Sequence, residues 1–295
     1  MVMKITQLYS NARRRLLTQE DPQTAGRVAR ELLSHVTATS VEATIANAEH
    51  YVSDDICQAM DQAVSRYLNG EPLAYILGCW DFYGMELIVD QNVLIPRDDT
   101  CAVTDLAIKA AKMQQGSVRV LDLCTGSGCI GLAVASNVKN AKVTLADVST
   151  EALSIAKKNT AKQKLSANVT CLQVDALKKP ESFLGKFDVI VSNPPYITTQ
   201  EMLALPESVK DYEPHLALYG GDDGLCFYRA IAENFRSAIK DGGYLCFEFG
   251  MGQGDDVCAI LEENGYTILE RSSDYNQIER AVLARLDRKE EKYGY

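Results

Sequence analysis

The chain has 295 residues, 46% of them hydrophobic and 24% charged, a balance that excludes a disordered polymer and leaves room for one large domain or two modest ones. Forty acidic residues against 30 basic ones give a net charge of −10, which disfavours broad non-specific binding to a phosphate backbone. Nine cysteines without a Cys-x-x-Cys pair, and only three histidines (His35, His50 and His215), argue against a zinc site of ordinary ligand spacing and for reduced, buried thiols.

The first residues, MVMKITQLYSNARRR, lack the apolar stretch of a signal peptide. No apolar run approaches the roughly 20 residues that a spanning helix needs. A cytoplasmic location is the expectation.

Residues 1–78 read as an all-helical domain. Asp21-Pro22 supplies a cap and a first-turn proline, and Val28, Ala29, Leu32, Leu33 and Val36 follow at helical spacing. Ser53 starts a second helix, with Ile56, Met60 and Val64 on one face, and Asn69-Gly70 ends it before Pro72. No chemical motif occurs here, so recognition of a partner or simple support is the expected role. Residues 79–97 change to aromatic and β-branched residues around Gly84, which predicts a β-hairpin connector.

Residues 98–295 read as the catalytic domain. Strands are predicted at Arg119–Leu123, Lys142–Ala146, Val169–Val174, Phe187–Ser192 and Tyr244–Glu248, with helices such as Ser149–Lys164 between them. This alternation predicts an α/β fold, a parallel sheet covered on both faces. Tyr266–Arg271 and Arg280–Leu286 have no helix between them and predict an antiparallel hairpin at the sheet edge.

Two segments carry chemistry. VRVLDLCTGSGCIGLAVA reads strand, tight loop, helix, and Gly126, Gly128 and Gly131 fit G-x-G-x-x-G. Glycines let the backbone turn sharply beside a ligand, and the helix N-terminus beyond offers unpaired N–H groups. Asp147 ends the second strand, 21 residues after Gly126, where a carboxylate meets both ribose hydroxyls of a nucleoside; capping the next helix is the plainer role. Asp122, just before the loop, suits a cationic ligand better than a pyrophosphate, which favours S-adenosylmethionine over a dinucleotide. Asp175 ends the third strand, within reach of an adenine amino group.

The second segment is Asn193-Pro194-Pro195-Tyr196, directly after the fourth strand. Ligands of open parallel sheets bind beyond the carboxyl ends of the strands, on the rim that also carries Gly126 and Asp147. The prolines stiffen the loop and leave its carbonyls free. The Asn193 side-chain oxygen and the Pro194 carbonyl form an acceptor pair for the two hydrogens of an –NH2 group, and the Tyr196 ring offers a face to the planar group that carries it.

With these residues the chain resembles the release-factor glutamine methyltransferases, the PrmC/HemK family, over almost its whole length. Further matching segments are GEPLAYILG at Gly70–Gly78, FYG at Phe82–Gly84, VLIPR at Val93–Arg97, YEPHLALYGGDDGL at Tyr212–Leu225 and DYNQIERAVLARL at Asp274–Leu286. The resemblance implies a seven-stranded class I S-adenosylmethionine-dependent methyltransferase domain of Rossmann-like build, behind a helical domain that reads the substrate. It implies N5-methylation of the glutamine in the Gly-Gly-Gln motif of class 1 peptide-chain release factors, with no metal. Carried over, the cofactor loop is Cys124, Thr125, Gly126, Ser127 and Gly128, with Asp122, Asp147, Asp175, Ala176 and Asn193 beside the cofactor and Asn193, Pro194, Pro195 and Tyr196 holding the glutamine. The chain departs from the pattern at Cys124, where glycine is usual, at Ala176, where an aromatic is frequent, and at IPRDDTC, Ile95–Cys101, in place of an IPRPETE-like run.

Three rival readings stand beside this one. A DNA adenine N6-methyltransferase uses the same acceptor pair on a flipped base but needs a basic duplex-binding surface. A ribosomal-protein glutamine methyltransferase shares the chemistry. A cofactor-binding scaffold without catalysis is favoured only where Asn193 or Gly126 is lost, and both are present.

Overall fold

The computed structural model describes residues 3–287; residues 1–2 and 288–295, which the two expected domains also include, lie outside the described residues. The described chain separates into two compact units, residues 3–79 with 207–212, and residues 80–206 with 213–287.

The first unit holds strands β1 (Met3–Lys4) and β2 (Tyr51–Val52) and helices α1 (Ile5–Leu16), α2 (Pro22–Thr37), α3 (Val41–Ala46), α4 (Asp54–Leu68) and α5 (Leu73–Leu77). The Asp21 carboxylate caps α2, accepting from Gln23 N at 2.8 Å and Thr24 N at 3.2 Å, an arrangement worth about 1 kcal/mol. Ser53 caps α4 in the same way. Leu16, Leu32, Met60 and Val64 are fully buried, each from the apolar stripe of its helix. The region is not all helical: β1 and β2 pair antiparallel, Met3 with Val52 and Lys4 with Tyr51. Two residues are too few for a period-2 pattern to appear in the sequence.

The second unit opens within β3 (Cys79–Phe82), which forms with β4 (Met85–Ile88) a hairpin turned by Tyr83 and Gly84. Both turn residues have positive φ, 52° and 75°, the geometry whose twist matches that of paired strands. The extended run predicted to continue through Leu94 and Ile95 ends as a strand at Ile88. The remaining elements are α6 (Cys101–Lys112), β5 (Val118–Leu123), α7 (Cys129–Asn137), β6 (Ala141–Asp147), α8 (Thr150–Lys162), β7 (Val169–Gln173), β8 (Phe187–Ser192), α9 (Thr199–Ala204), α10 (Glu207–Lys210, in the first unit), α11 (Cys226–Asn234), β9 (Ile239–Glu248), α12 (Gly254–Glu263), β10 (Tyr266–Ser273) and β11 (Glu279–Leu286).

One seven-stranded sheet has the order β10-β11-β9-β8-β5-β6-β7. β9, β8, β5, β6 and β7 are parallel, while β11 runs antiparallel to both β9 and β10. Side chains alternate between the faces of a strand, and here both faces are buried. Val120, Val189 and Cys246 enter one core with α6 and α7; Leu121, Ile190 and Leu245 enter the other with α11 and α12. The loops after β5, β6, β7 and β8 therefore emerge along one carboxyl edge.

Candidate active site

The loop after β5 is shaped by its neighbours. Thr125 N donates to the Ala146 carbonyl at 3.0 Å, tying the loop to β6, and Gly128 N closes the turn on the Thr125 carbonyl at 2.8 Å. Gly126 and Gly128 have φ of 53° and 87°, conformations that favour glycine. Cys124 has φ of 56°, so the side chain that replaces the usual glycine is held in the left-handed region, a strain of about 1 kcal/mol. At Gly131 an added Cβ would lie 2.2 Å from Leu145 Cδ2, so helix α7 packs on the sheet without room for one.

A cavity of about 260 Å³ opens against this loop. Cys124, Thr125, Gly126 and Ser127 line it together with Asp147, Asp175, Ala176, Asn193 and Pro195. Asp147 Oδ2 accepts from Gly126 N at 2.9 Å and Oδ1 from Ser149 N at 3.0 Å, leaving each oxygen a further lone pair toward the cavity. Burial raises its pKa, and the backbone donors of Ser149, Gly126 and Val148 oppose that shift. The cap of α8 is the Ser149 hydroxyl, accepting from Ala152 N at 3.0 Å, so the capping role weighed for Asp147 belongs to Ser149. Asp175 is held ionised below its ordinary pKa by Lys178, whose Nζ lies 2.9 Å away. Ala176 is buried and offers no aromatic face to the cavity.

Asp122, Gly128, Pro194 and Tyr196 do not line this cavity. Asp122 is fully buried beneath the loop, where Oδ2 accepts from Thr125 Oγ1 at 2.6 Å and Gly131 N at 2.9 Å. Oδ1 has no hydrogen-bond partner, and burial pushes the carboxyl up to about 7. Asp122 thus supports the loop from below, whereas the sequence placed it beside a ligand. Tyr196 faces a second groove of about 610 Å³, with Asp99, Met251 and Arg280. Its ring lies where a Cβ on Gly250 would come within 3.0 Å, so that glycine makes room for it.

Segments with no assigned chemistry in the sequence meet around Asn193. Asn193 Nδ2 donates to Thr100 Oγ1 at 3.4 Å. Glu213 accepts from Ile95 N at 3.2 Å and pairs with Arg97, which lines both cavities. Arg280 bridges Asp99 and Asp274, each at 2.9 Å. The fully buried Asn159 donates to the Ser127 carbonyl at 2.9 Å and also bonds both backbone groups of Ile88, joining the glycine loop to the end of β4. The only signal for Asn159 was a polar residue on the apolar face of α8.

The sheet order, the reversed strand β11 and a glycine loop at the carboxyl edge define a class I S-adenosylmethionine-dependent methyltransferase fold. A family model described as the PrmC N-terminal domain matches residues 7–78, and one described as the methyltransferase small domain matches residues 101–216. The release factor glutamine methyltransferase of Clostridium acetobutylicum is 35% identical over 86% of this chain and 88% of its own length. That of Agrobacterium fabrum is 35% identical over 87% and 89%. A solved protein-(glutamine-N5) methyltransferase, release factor-specific, from Alicyclobacillus acidocaldarius is 25% identical over 65% of this chain and 94% of that one, with a TM-score of 0.41. The chain belongs to the release factor glutamine methyltransferase family.

Proposed function

We infer that this enzyme transfers a methyl group from S-adenosylmethionine to the side-chain amide nitrogen of the glutamine in the Gly-Gly-Gln motif of class 1 release factors. The observation that carries this reading is Asn193 in the wall of the cavity that the glycine loop and Asp147 also line.

The residues fit the cofactor. Gly126 allows close backbone approach, Asp147 keeps free lone pairs for ribose hydroxyls, and Asp147 and Asp175 give the cavity the negative character that a sulfonium and an ammonium require. When bound, the cofactor supplies an electrophilic methyl group. Asn193 Oδ1 and the Pro194 carbonyl accept the two hydrogens of the acceptor amide, which turns its nitrogen lone pair toward the cavity. Because that lone pair is delocalised, catalysis rests on positioning and on charge complementarity. The proton leaves after methylation, when the nitrogen has become strongly acidic.

The groove bearing Tyr196, Asp99 and Arg280 is the natural seat for the loop that presents the glutamine. The first unit, without chemical motifs, suits recognition of the protein substrate. Such a substrate belongs to translation, and with it the enzyme to the cytoplasm. Among the described residues no helix is long and apolar enough to cross a membrane. The net charge of −10 weighs against a duplex DNA substrate.

Intact-mass analysis of a release factor incubated with enzyme and S-adenosylmethionine tests the reading. One added methyl is expected, and none when the Gly-Gly-Gln glutamine is replaced. Undiminished labelling of that mutant, or labelling of adenine in DNA instead, would overturn the glutamine assignment.

A further inference from the structure

Glu248 is the last residue of β9 and neighbours Asn193 across the sheet, because Ser192 pairs with Phe247 in the β8–β9 register. It is 2% exposed, and its Oε2 has no hydrogen-bond partner. Its backbone carbonyl accepts from the Tyr228 hydroxyl at 2.9 Å. The Thr100 hydroxyl and the Asn193 amide are the polar neighbours that favour its ionised form. These two already touch each other, through the 3.4 Å bond from Asn193 Nδ2 to Thr100 Oγ1.

A buried acid with an unpartnered oxygen is costly, and a hydrophobic residue would pack there without that cost. The acid sits behind the one side chain whose orientation decides whether an amide can be received. A carboxamide reversed about its last bond would present Nδ2, a donor, to the acceptor –NH2, and the pair would repel. An acceptor behind Nδ2 forbids that reversal.

We propose that Glu248 is a positioning residue for the methyl transfer: its carboxylate, with Thr100, holds the Nδ2 side of Asn193 so that Oδ1 faces the acceptor amide. This rests on Asn193 receiving that amide, as inferred above. Glu248 is faced by Asp99 from the turn before α6, Cys101 from α6, Cys129 from α7, Tyr196 from the loop after β8, Tyr228 from α11 and Arg280 from β11. Burial and Asp99 push its carboxyl up to about 7, while Thr100, Arg280 and Asn193 oppose the rise. The holding form is the carboxylate, so kcat should fall as pH drops through about 7.

The test uses the full chain, S-adenosylmethionine and a purified class 1 release factor. Glu248→Gln keeps the shape but adds a donor that can pair with Asn193 Oδ1 and draw it away. It should lower kcat about 10- to 100-fold, the scale of a misdirected reacting group. Cofactor affinity by calorimetry should be unchanged, and the acidic limb of the kcat–pH profile should disappear. Thr100→Val, which removes only a hydroxyl, should lower kcat in the same direction and decides the matter if Glu248→Gln does not fold. A folded Glu248→Gln enzyme with full kcat and the wild-type pH profile overturns the positioning role alone. So does a loss of kcat matched by an equal loss of cofactor affinity. A wild-type enzyme that leaves the release factor unmodified overturns the assigned substrate and this proposal together.

Discussion

The glycine loop takes nearly all its shape from nearby residues and one adjacent strand: Asp122 bonds Thr125 and Gly131, and Ala146 and Asp147 of β6 bond Thr125 and Gly126. The wall carrying Asn193 is assembled from afar. Thr100 lies 93 residues away in sequence, and Glu213 stands 118 residues from its partner Ile95. The first is a local device anchored by backbone hydrogen bonds, suited to a ligand common to many enzymes. The second is a convergence of side chains, and the tertiary fold must be complete before it exists. Changes in the wall should therefore strike turnover, and changes in the loop should strike cofactor affinity or stability.

Asn193→Ala tests this most severely. Removing one preorganised hydrogen-bonding group should cost about 10²–10³ in kcat. Cofactor affinity by calorimetry should change far less, since the glycine loop and Asp147 lie on other strands. An equal loss in both quantities would erase the division between the two regions.

Asp147→Ala should reverse the pattern. Loss of a charged acceptor costs about 1.5–3 kcal/mol, or roughly a 10- to 150-fold weaker cofactor affinity. Unchanged affinity would remove Asp147 from the cofactor site.

Asp122→Asn separates support from binding. Its carboxyl is raised from 3.8 to about 7 in the folded chain, so protons bind more tightly there than in the unfolded chain. The corresponding stability is fully present below pH 3.8 and is lost as pH rises through about 7. Urea unfolding at pH 5 and pH 8, without cofactor, should show a smaller difference for Asp122→Asn than for the wild type. An identical difference in the two proteins would mean that the carboxyl ionises at its ordinary pKa.

Cys124→Gly should have the smallest effect. Glycine relieves the left-handed strain but makes the unfolded chain more flexible, two terms of about 1 kcal/mol that oppose each other. Stability should move by less than either, and cofactor affinity should be kept. A large loss of affinity would show that the thiol itself contacts the ligand.

The amino-acid order was sufficient for the strand at Phe187–Ser192, for the strand predicted at Arg119–Leu123, which begins one residue earlier at Val118, for the helices capped by Asp21 and Ser53, and for the glycine loop, because each depends largely on hydrogen bonds and apolar spacing within a few residues. It also located Asn193 on the rim with Asp147, since a strand–loop–helix order puts both at carboxyl ends. The β1–β2 pair and the inward turn of Asp122 escaped it: one depends on pairing of Met3 and Lys4 with the distant Val52 and Tyr51, and the other on how α7 packs onto β5. Tyr196, expected to flank the planar acceptor group, faces its own groove because Gly250 leaves space there. Glu248 read as an ordinary strand end. What made it a buried acid behind Asn193 was the β8–β9 register and the closure of both faces of the sheet, terms that arise only when distant segments pack and water is excluded.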